Sequence, residues 1–505
     1  MSTMKDTRDD LDLRRAPAPL EMGPDEFRAA GHAMVERVAE FLASIRSRPV
    51  TPGEKPERVR LALGGGSLPE QGVPAGPLLE RAAALVLDHS LLNGHPRFFG
   101  YITASAAPIG ALGDLLAAAV NANCGAWELA PIAGEIEAQT VRWIAELMGY
   151  PPDCGGLLVS GGNMANMVGF LAARRAMAGP GVREHGIGSG APLRVYASAE
   201  THTWIQKATD LFGLGTAAIR WIPTGPGLAL DLRALESQIA ADRAVGARPF
   251  MVIGTAGSVS TGAIDPLPAI AALCREQKLW FHVDGAYGGV AAGLPGAPAD
   301  LKGLTLADSV AIDPHKWLYA PLEAGCVLVR NSEHLRDAFS YRPAYYSMDR
   351  SAGAPLNYNE YGPQNSRGFR ALKVWLGLQQ AGRTGITRMI EDDIELARML
   401  FEAARAHPEL EAGTLGLSIA TFRYVPGDLG PKRDEFTEYL DRLNEALLQR
   451  LKFGGETFLS NAVVAGRYLL RACIVNFRTT PADVAAVPEI VVRVGRELDR
   501  ELRRG

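Results

Sequence analysis

Apolar residues follow two patterns along the chain: helical spacing near both ends, and short continuous runs between about residues 90 and 385. Near the amino terminus, apolar side chains three and four positions apart predict an amphipathic helix over Pro24–Ile45. The short runs predict buried strands at Gly156–Val159, Arg194–Ala197, Phe250–Gly254, Leu279–Val283, Ser309–Ile312 and Cys326–Val329. Because helical patterns separate these strands, we expect an α/β protein with a mostly parallel, doubly wound sheet.

The carboxyl-terminal part has a different pattern. It predicts long helices at Ile386–Ala406, Lys432–Leu451 and Ala482–Leu502, with apolar runs at Ser418–Tyr424 and Tyr468–Val475. We therefore expect three parts, which are an N-terminal helical arm over 1–90, a large domain over 91–385 and a small α+β domain over 386–505. A loop rich in glycine and proline, Gly64–Pro77, lies near the first boundary.

Composition narrows the classes of function. The 505 residues carry 52 Lys and Arg against 56 Asp and Glu, a net charge of −4, which argues against a general nucleic-acid binder or a polybasic membrane-surface protein. No apolar stretch approaches the ~18–20 residues of a membrane span, and the first twenty residues lack the apolar segment of a secretory signal. The five cysteines are dispersed, so we expect no disulfide scaffold, no metal site and a cytoplasmic location.

Ligands of open α/β sheets bind beyond the carboxyl ends of the strands, so the residues after each predicted strand are candidates for the site. Gly156–Val159 leads into Ser160, Gly161, Gly162 and Asn163, and then into an apolar helix. Backbone N–H groups at such a turn bind anions, and the helix dipole favours negative charge there. The structural alternative is a tight turn with Asn163 as the helix cap.

Three other strand ends carry ionisable side chains: His202 near Trp204, then Asp284, and then the run Asp313-Pro314-His315-Lys316-Trp317. His202, taken alone, would indicate a packed histidine. A buried Asp284 is costly without a cationic partner, so we expect it to face one unless it caps a turn. We expect Lys316 to be desolvated, which would lower its pKa and let it form a Schiff base.

Together these groups describe one ligand. It carries a phosphate for the Gly161–Gly162 turn and a carbonyl for Lys316. It also carries a basic ring nitrogen for Asp284 and a flat face for His202. Pyridoxal 5'-phosphate has all four features, and its protonated ring accepts electrons from a developing carbanion.

The chain resembles the group II pyridoxal-phosphate-dependent amino-acid decarboxylases, the family of the aromatic-L-amino-acid, glutamate and cysteine sulfinate decarboxylases. The resemblance is strongest at His282–Tyr287 and Pro314–Trp317, and it extends from His95 to Arg471. It implies the fold type I of pyridoxal-phosphate-dependent transferases. It also implies a homodimer with active sites at the interface and a small amino acid as substrate.

The resemblance further implies roles for single residues. Lys316 would bind the cofactor covalently, Asp284 would pair with the pyridine nitrogen and His202 would stack on the ring. The remaining contacts to the cofactor would come from Gly161, Gly162, Asn163, Thr255, Ala286 and His315. In the family, a tyrosine on a mobile loop protonates the substrate carbon after CO₂ leaves. Tyr345 matches that tyrosine by position, with Tyr346 as its neighbour.

Departures from the family pattern bear on the substrate. Asn93 and Gly125 stand where aromatic decarboxylases have aromatic walls, and Asp313 replaces the Asn common before Pro-His-Lys. The stretch His315–Trp317 follows the aromatic branch, so we expect an aromatic L-amino acid to be decarboxylated to its amine. One alternative is an acidic substrate, with Arg471 on its side-chain carboxylate. Another is an aldehyde synthase, which the loop tyrosine and the stacking histidine disfavour. An aminotransferase and a non-catalytic protein are further alternatives.

Overall fold

The computed structural model describes residues 18–504 except 180, 189, 226 and 342–354, with only the backbone described at 430–434. The chain forms two compact units, one of Met1–Leu92 with Phe453–Gly455 and one of Asn93–Lys452 with Glu456–Gly505. The first unit contains the helices α1 (Pro24–Ser44), α2 (Pro56–Leu63) and α3 (Ala75–Asp88). Helix α1 packs on α3, and the helix predicted at the amino terminus is confirmed.

The second unit contains both sheets and the remaining helices, apart from the last two residues of α14, which belong to the first unit. Its helices are α4 (Pro108–Val120), α5 (Pro131–Met148), α6 (Gly162–Ala178), α7 (Val182–His185), α8 (Trp204–Leu211), α9 (Leu232–Ala244), α10 (Leu267–Gln277), α11 (Ala299–Lys302), α12 (Glu333–Phe339), α13 (Ala371–Ala406), α14 (Thr437–Gly454) and α15 (Pro481–Leu502). Its strands are β1 (Gly155–Val159), β2 (Leu193–Ser198), β3 (Ile219–Ile222), β4 (Arg248–Thr255), β5 (Trp280–Asp284), β6 (Ser309–Ile312), β7 (Gly325–Val329), β8 (Leu410–Gly416), β9 (Ile419–Tyr424), β10 (Ser460–Val464) and β11 (Arg467–Cys473). No helix in the described ranges is long and apolar enough to cross a membrane.

The larger sheet has seven strands in the order β1-β7-β6-β5-β4-β2-β3. Strands β3, β2, β4, β5 and β6 are parallel, whereas β7 runs antiparallel to both β6 and β1. Strand β1 therefore points the same way as β6. The carboxyl ends of β1, β2, β4, β5 and β6 lie along one edge, and the predicted α/β class with a mostly parallel sheet is confirmed.

Neighbouring residues of the central strands point to opposite faces of the sheet, as the period of a strand requires. On β5, Trp280 packs into one apolar core and Phe281 into the other. On β1, Leu157 packs into the same core as Trp280, and Leu158 packs into the same core as Phe281. Because both faces are covered, these strands are continuous apolar runs in the sequence, which made them predictable.

The second sheet has four antiparallel strands in the order β10-β11-β9-β8, covered by a separate apolar core. The apolar runs of the sequence predicted β9 and β11, but β3, β8 and β10 were missed. Strands β8 and β10 alternate buried with more exposed positions and carry few continuous apolar residues. The helix predicted from Ile386 begins earlier, at Ala371, and is interrupted at Gly382, whose φ of +63° is not helical.

A buried ion pair joins α5 to the segment before α13. The guanidinium of Arg367 donates from both terminal nitrogens to the carboxylate of Glu137. It also donates to the carbonyl oxygens of Cys124 (3.1 Å) and Leu158 (2.7 Å), and Glu137 accepts from the backbone N–H of Leu158 at 2.8 Å. Since Leu158 lies on β1, this pair fixes the strand that leads into the glycine turn.

Candidate active site

The carboxyl edge of the larger sheet opens into a cavity of about 610 Å³. Nine of the ten residues predicted for the site line this cavity: Gly161, Gly162, Asn163, His202, Thr255, Asp284, Ala286, His315 and Lys316. The tenth, Tyr345, lies outside the described residues. Residues from five different strand ends and loops are therefore brought together around one space.

The turn between β1 and α6 requires its two glycines for different reasons. Gly161 has a φ of +108°, which L side chains rarely adopt. A Cβ on Gly162 would lie only 2.6 Å from Oδ2 of Asp313. The first turn of a helix has N–H groups without intrahelical partners, so the start of α6 is suited to an anionic group.

A series of buried hydrogen bonds connects this turn to β5 and β6. The side-chain amide of Asn166 donates to the carbonyl of Gly162 at 2.9 Å, and its oxygen lies 2.7 Å from Nε2 of His282. Nδ1 of His282 contacts the hydroxyl of Ser309 at 2.8 Å, and the indole of Trp280 donates to that hydroxyl. Burial lowers the pKa of His282 to about 4, so its ring is neutral and acts here through hydrogen bonds alone.

Asp284 is buried at the end of β5 and has two donors of its own. The indole N–H of Trp204 donates to Oδ2 at 2.8 Å, and the backbone N–H of Ala286 donates to Oδ1 at 3.2 Å. A carboxylate held this way in a cavity suits a protonated ring nitrogen, which would supply the missing cation. The sequence identified Asp284 but not Trp204, whose side chain is fully buried.

His202 follows β2 and lines the same cavity. Its Nδ1 accepts from the backbone N–H of Trp204 at 3.3 Å. Burial lowers its pKa, although the negative charge of Asp284 opposes the shift. A neutral imidazole with its Nδ1 already engaged can lie flat against an aromatic ring without a charge to desolvate.

Lys316 lies in the loop after β6, and its ammonium donates to Oδ2 of Asp313 at 2.9 Å. Burial lowers its pKa, but the charge and hydrogen bond of Asp313, together with the charge of Asp284, raise it further, so the net shift is upward. The prediction of a lowered pKa is therefore wrong, because the sequence showed the desolvation and not the facing carboxylate. Lys316 must give up this ion pair before its nitrogen can bond to an aldehyde.

The loop that carries Lys316 is held by a buried carboxylate that the sequence analysis missed. Oδ2 of Asp393, on α13, accepts from the indole of Trp317 at 2.9 Å and from the hydroxyl of Tyr319 at 2.7 Å. The spacing held a signal, because Ile386, Ile390 and Asp393 fall on one buried face of the helix. A carboxylate on such a face needs partners, and here both come from the residues just after Lys316.

These features fit pyridoxal phosphate. The glycine turn is suited to a phosphate, the Asp284 side chain lines the cavity and Lys316 carries the amine that an aldehyde would require. Oδ1 of Asp313 is buried beside the turn with no hydrogen-bond partner among the described residues, as expected at a site that a polar group completes.

Comparison with known proteins extends this assignment. The conserved domain of pyridoxal-dependent decarboxylases matches residues 67–424. The aromatic-L-amino-acid decarboxylase of Bacillus atrophaeus is 32% identical over 470 residues, which cover 93% of this chain and 95% of that protein. The crystal structure of Oryza sativa TDC with PLP and tryptamine superposes with a TM-score of 0.87 at 27% identity, covering 96% of this chain and all of that one. Mouse CSAD superposes with a TM-score of 0.88 at 27% identity, covering 94% of this chain and 99% of that one.

The mostly parallel sheet with one antiparallel strand is the fold type I of pyridoxal-phosphate enzymes. The chain belongs to the pyridoxal-dependent decarboxylase family, whose conserved domain covers most of its length. The predicted family, fold class, cofactor and enzyme class are thereby confirmed. The roles of the individual site residues stay predictions.

Asp393 should make the stability of the protein depend on pH. Burial raises its pKa to about 7 from an ordinary 3.8, so between these values the folded state keeps a proton that the unfolded chain has lost. The free energy of unfolding should therefore fall as pH rises through this window, by up to about 1.4 kcal/mol per pH unit. Asp393→Asn keeps an acceptor for Trp317 and Tyr319 and should remove this component. Urea midpoints at pH 5, 6 and 7 for both proteins test it, and parallel pH profiles would contradict it.

Proposed function

We propose that this chain decarboxylates an aromatic L-amino acid to CO₂ and the corresponding amine. The observation that carries the proposal is the meeting of Lys316, Asp284, His202 and the glycine turn in one cavity of a family member. When bound, pyridoxal phosphate supplies a protonated conjugated ring that accepts the electron pair left at Cα when the carboxylate departs.

The side chains would divide the work as follows. Lys316 would hold the cofactor covalently through its amine. Asp284, fixed by Trp204, keeps the proton on the ring nitrogen, and the neutral His202 covers one face of the ring. Gly161, Gly162, Asn163 and His315 bind the phosphate, and Thr255 and Ala286 line the ring.

The aromatic substrate is favoured by the relatives and by the cavity wall. The Bacillus atrophaeus relative is an aromatic-L-amino-acid decarboxylase, and the Oryza sativa TDC structure contains tryptamine, an aromatic amine. Tyr101, Ile102, Val259 and Leu322 contribute apolar surface to the cavity of this chain. A flat hydrophobic side chain gains most from such a wall.

An acidic amino acid is the second candidate, because of Arg471. This buried side chain lines the cavity and donates from Nη1 to the carbonyl of Tyr101 (3.0 Å) and to the hydroxyl of Ser460 (2.9 Å). Its Nε and Nη2 have no hydrogen-bond partner within the described part of the chain. A guanidinium with free donors binds carboxylates well, and both candidates provide an α-carboxylate. Only the acidic one offers a second carboxylate.

We also propose that the chain acts in the cytoplasm and is organised as the three parts 1–90, 91–385 and 386–505. The five cysteine thiols are all free, which suits a reducing compartment. Most buried residues of the four-stranded sheet form a core of their own, which supports a division between the second and third parts, while Ile419 and Cys473 join the core of the larger sheet.

Lys316→Ala should lower kcat by more than about a thousandfold, since no other amine then anchors the cofactor. CO₂ release and amine formation are measured with the twenty amino acids, L-DOPA, 5-hydroxytryptophan and cysteine sulfinate. Lys302→Ala, an exposed lysine on α11, is the matched control and should keep full activity. Circular dichroism confirms folding of both variants. A folded, active Lys316→Ala protein would refute the mechanism, and turnover of acidic substrates alone would exclude the aromatic assignment.

Tyr345 is proposed as the acid that protonates Cα, an assignment that rests on the family resemblance alone. A phenol with an ordinary pKa of ~10 holds its proton at neutral pH and can deliver it in a site closed to water. Tyr345→Phe should therefore lower amine formation by about a hundredfold and divert part of the turnover to aldehyde. Tyr346→Phe is the control. The amine and aldehyde formed by each variant under air are measured by mass spectrometry. Unchanged amine formation in Tyr345→Phe would contradict the assignment and shift the role to Tyr346.

The active form is proposed to be a homodimer that uses α4. One side of this helix packs closely through Gly110 and Gly113, where a Cβ would lie 2.4 Å from Pro321 and 2.8 Å from Leu376, respectively. Its other residues include four apolar side chains that are each more than half exposed: Leu112, Leu115, Leu116 and Val120. An apolar patch of this kind is typical of a surface that another chain covers.

Leu116→Glu should weaken the dimer about tenfold or more, because the new carboxylate would be buried without a partner. Sedimentation velocity over a concentration series measures the association. Leu211→Glu, on the exposed end of α8, is a control of the same chemistry and should leave it unchanged. If both variants self-associate as strongly as the unchanged protein does, the interface lies away from α4.

A further inference from the structure

Asp313 is paired with Lys316, yet it also lies beside the turn proposed for the anionic phosphate. It is buried after β6, with Oδ2 directly beside the position that a Cβ on Gly162 would occupy. That oxygen accepts a hydrogen bond from the ammonium of Lys316 at 2.9 Å, while Oδ1 has no hydrogen-bond partner within the described ranges. The carboxylate therefore faces the turn proposed for the phosphate, and Lys316 is its close cation among the residues that the structure describes.

Covalent attachment of the cofactor would change the charges that surround Asp313. The nitrogen of Lys316 then belongs to the bond with the cofactor, and a phosphate arrives at the glycine turn. Asp313 and a phosphate dianion would both present only acceptor oxygens to one another. Two buried anions at such short range repel strongly, so a proton between them is needed.

The other titratable groups around Asp313 do not supply that proton. Nε2 of His315 is 3.7 Å from Oδ2, its Nδ1 contacts the carbonyl of Ala324 at 2.7 Å, and burial lowers its pKa. His202 is kept neutral in the same way. Burial raises the pKa of the Cys326 thiol, on β7, well above its usual range, so it carries no charge either.

We propose that Asp313 and the phosphate of the bound cofactor share one proton, taken up from solvent when the cofactor binds. Asp313 then acts as a phosphate ligand through an O–H···O hydrogen bond, in addition to the backbone of the turn. The inference rests on the proposed placement of the phosphate at Gly161–Asn163. It assigns Asp313 a binding role, although the residue departs from the family pattern.

Proton counting on the full-length protein tests the inference. Cofactor-free protein is titrated with pyridoxal phosphate at pH 7.5 in two buffers of different ionisation enthalpy, and the heats give the protons taken up per site. The unchanged protein should take up about one proton more than Asp313→Asn, which keeps the shape of the side chain but cannot be a carboxyl. The visible spectrum of each bound cofactor reports the protonation of its bond to Lys316, so that contribution is subtracted.

Pyridoxal, which lacks the phosphate, is the matched ligand. Asp313→Asn also removes the charge that raises the pKa of Lys316, so the protons gained or lost at Lys316 are measured with pyridoxal and subtracted for each protein. After this subtraction the unchanged protein should take up about one proton more than Asp313→Asn. Equal uptake after the subtraction would overturn the inference.

Phosphorus NMR of the unchanged holoenzyme decides the question if Asp313→Asn does not bind the cofactor. A free phosphate monoester is a dianion at pH 8, since its second pKa is about 6. A bound resonance displaced towards the monoanion supports the shared proton, and one at the dianion position refutes it. Decarboxylation is assayed on the same sample. A failed proton count with normal turnover therefore removes only this inference, whereas absent turnover removes the proposed function.

Discussion

Six of the seven strands of the larger sheet run in one direction, and the active site depends on this constraint. Parallel strands must be joined by connections that return to the starting edge, so their carboxyl ends gather at the opposite edge. Residues as far apart in sequence as Gly161 and Lys316 meet there because β1 and β6 end side by side across β7. The strands can be wholly apolar, while the chemistry lies just beyond their last residues.

Buried polar groups that support the active site are held by tryptophan side chains. The indole N–H of Trp204 donates to Asp284, that of Trp280 to Ser309 and that of Trp317 to Asp393. An indole provides a large apolar body for the core and a single donor at its rim. Each tryptophan therefore fills space in the packed interior and fixes the direction of a buried polar group. Of these groups, Asp284 lines the cavity itself.

The sequence revealed the site where a chemical group interrupts an apolar run, as Asp284 and Lys316 do. It did not reveal Asp393, which stands among other charged residues in the sequence and differs from them by lying on the buried face of α13. The pKa of Lys316 was predicted in the wrong direction, because the sign depends on the distance to Asp313, and distance is a property of the fold. Strands β8 and β10 were missed for a related reason. Their short, half-exposed segments gain their regular structure from neighbouring strands more than from their own composition.

The placement of β7 has a consequence for the order of events during synthesis. Among the described strands, β1 hydrogen-bonds only to β7, which is made about 170 residues later. The Glu137–Arg367 pair, which holds the same strand, is completed later still. On the ribosome, the glycine turn therefore cannot be fixed while the first half of the chain is emerging, and such distant pairings form slowly. Cofactor capture must be a late event, after nearly three quarters of the polypeptide has left the exit tunnel.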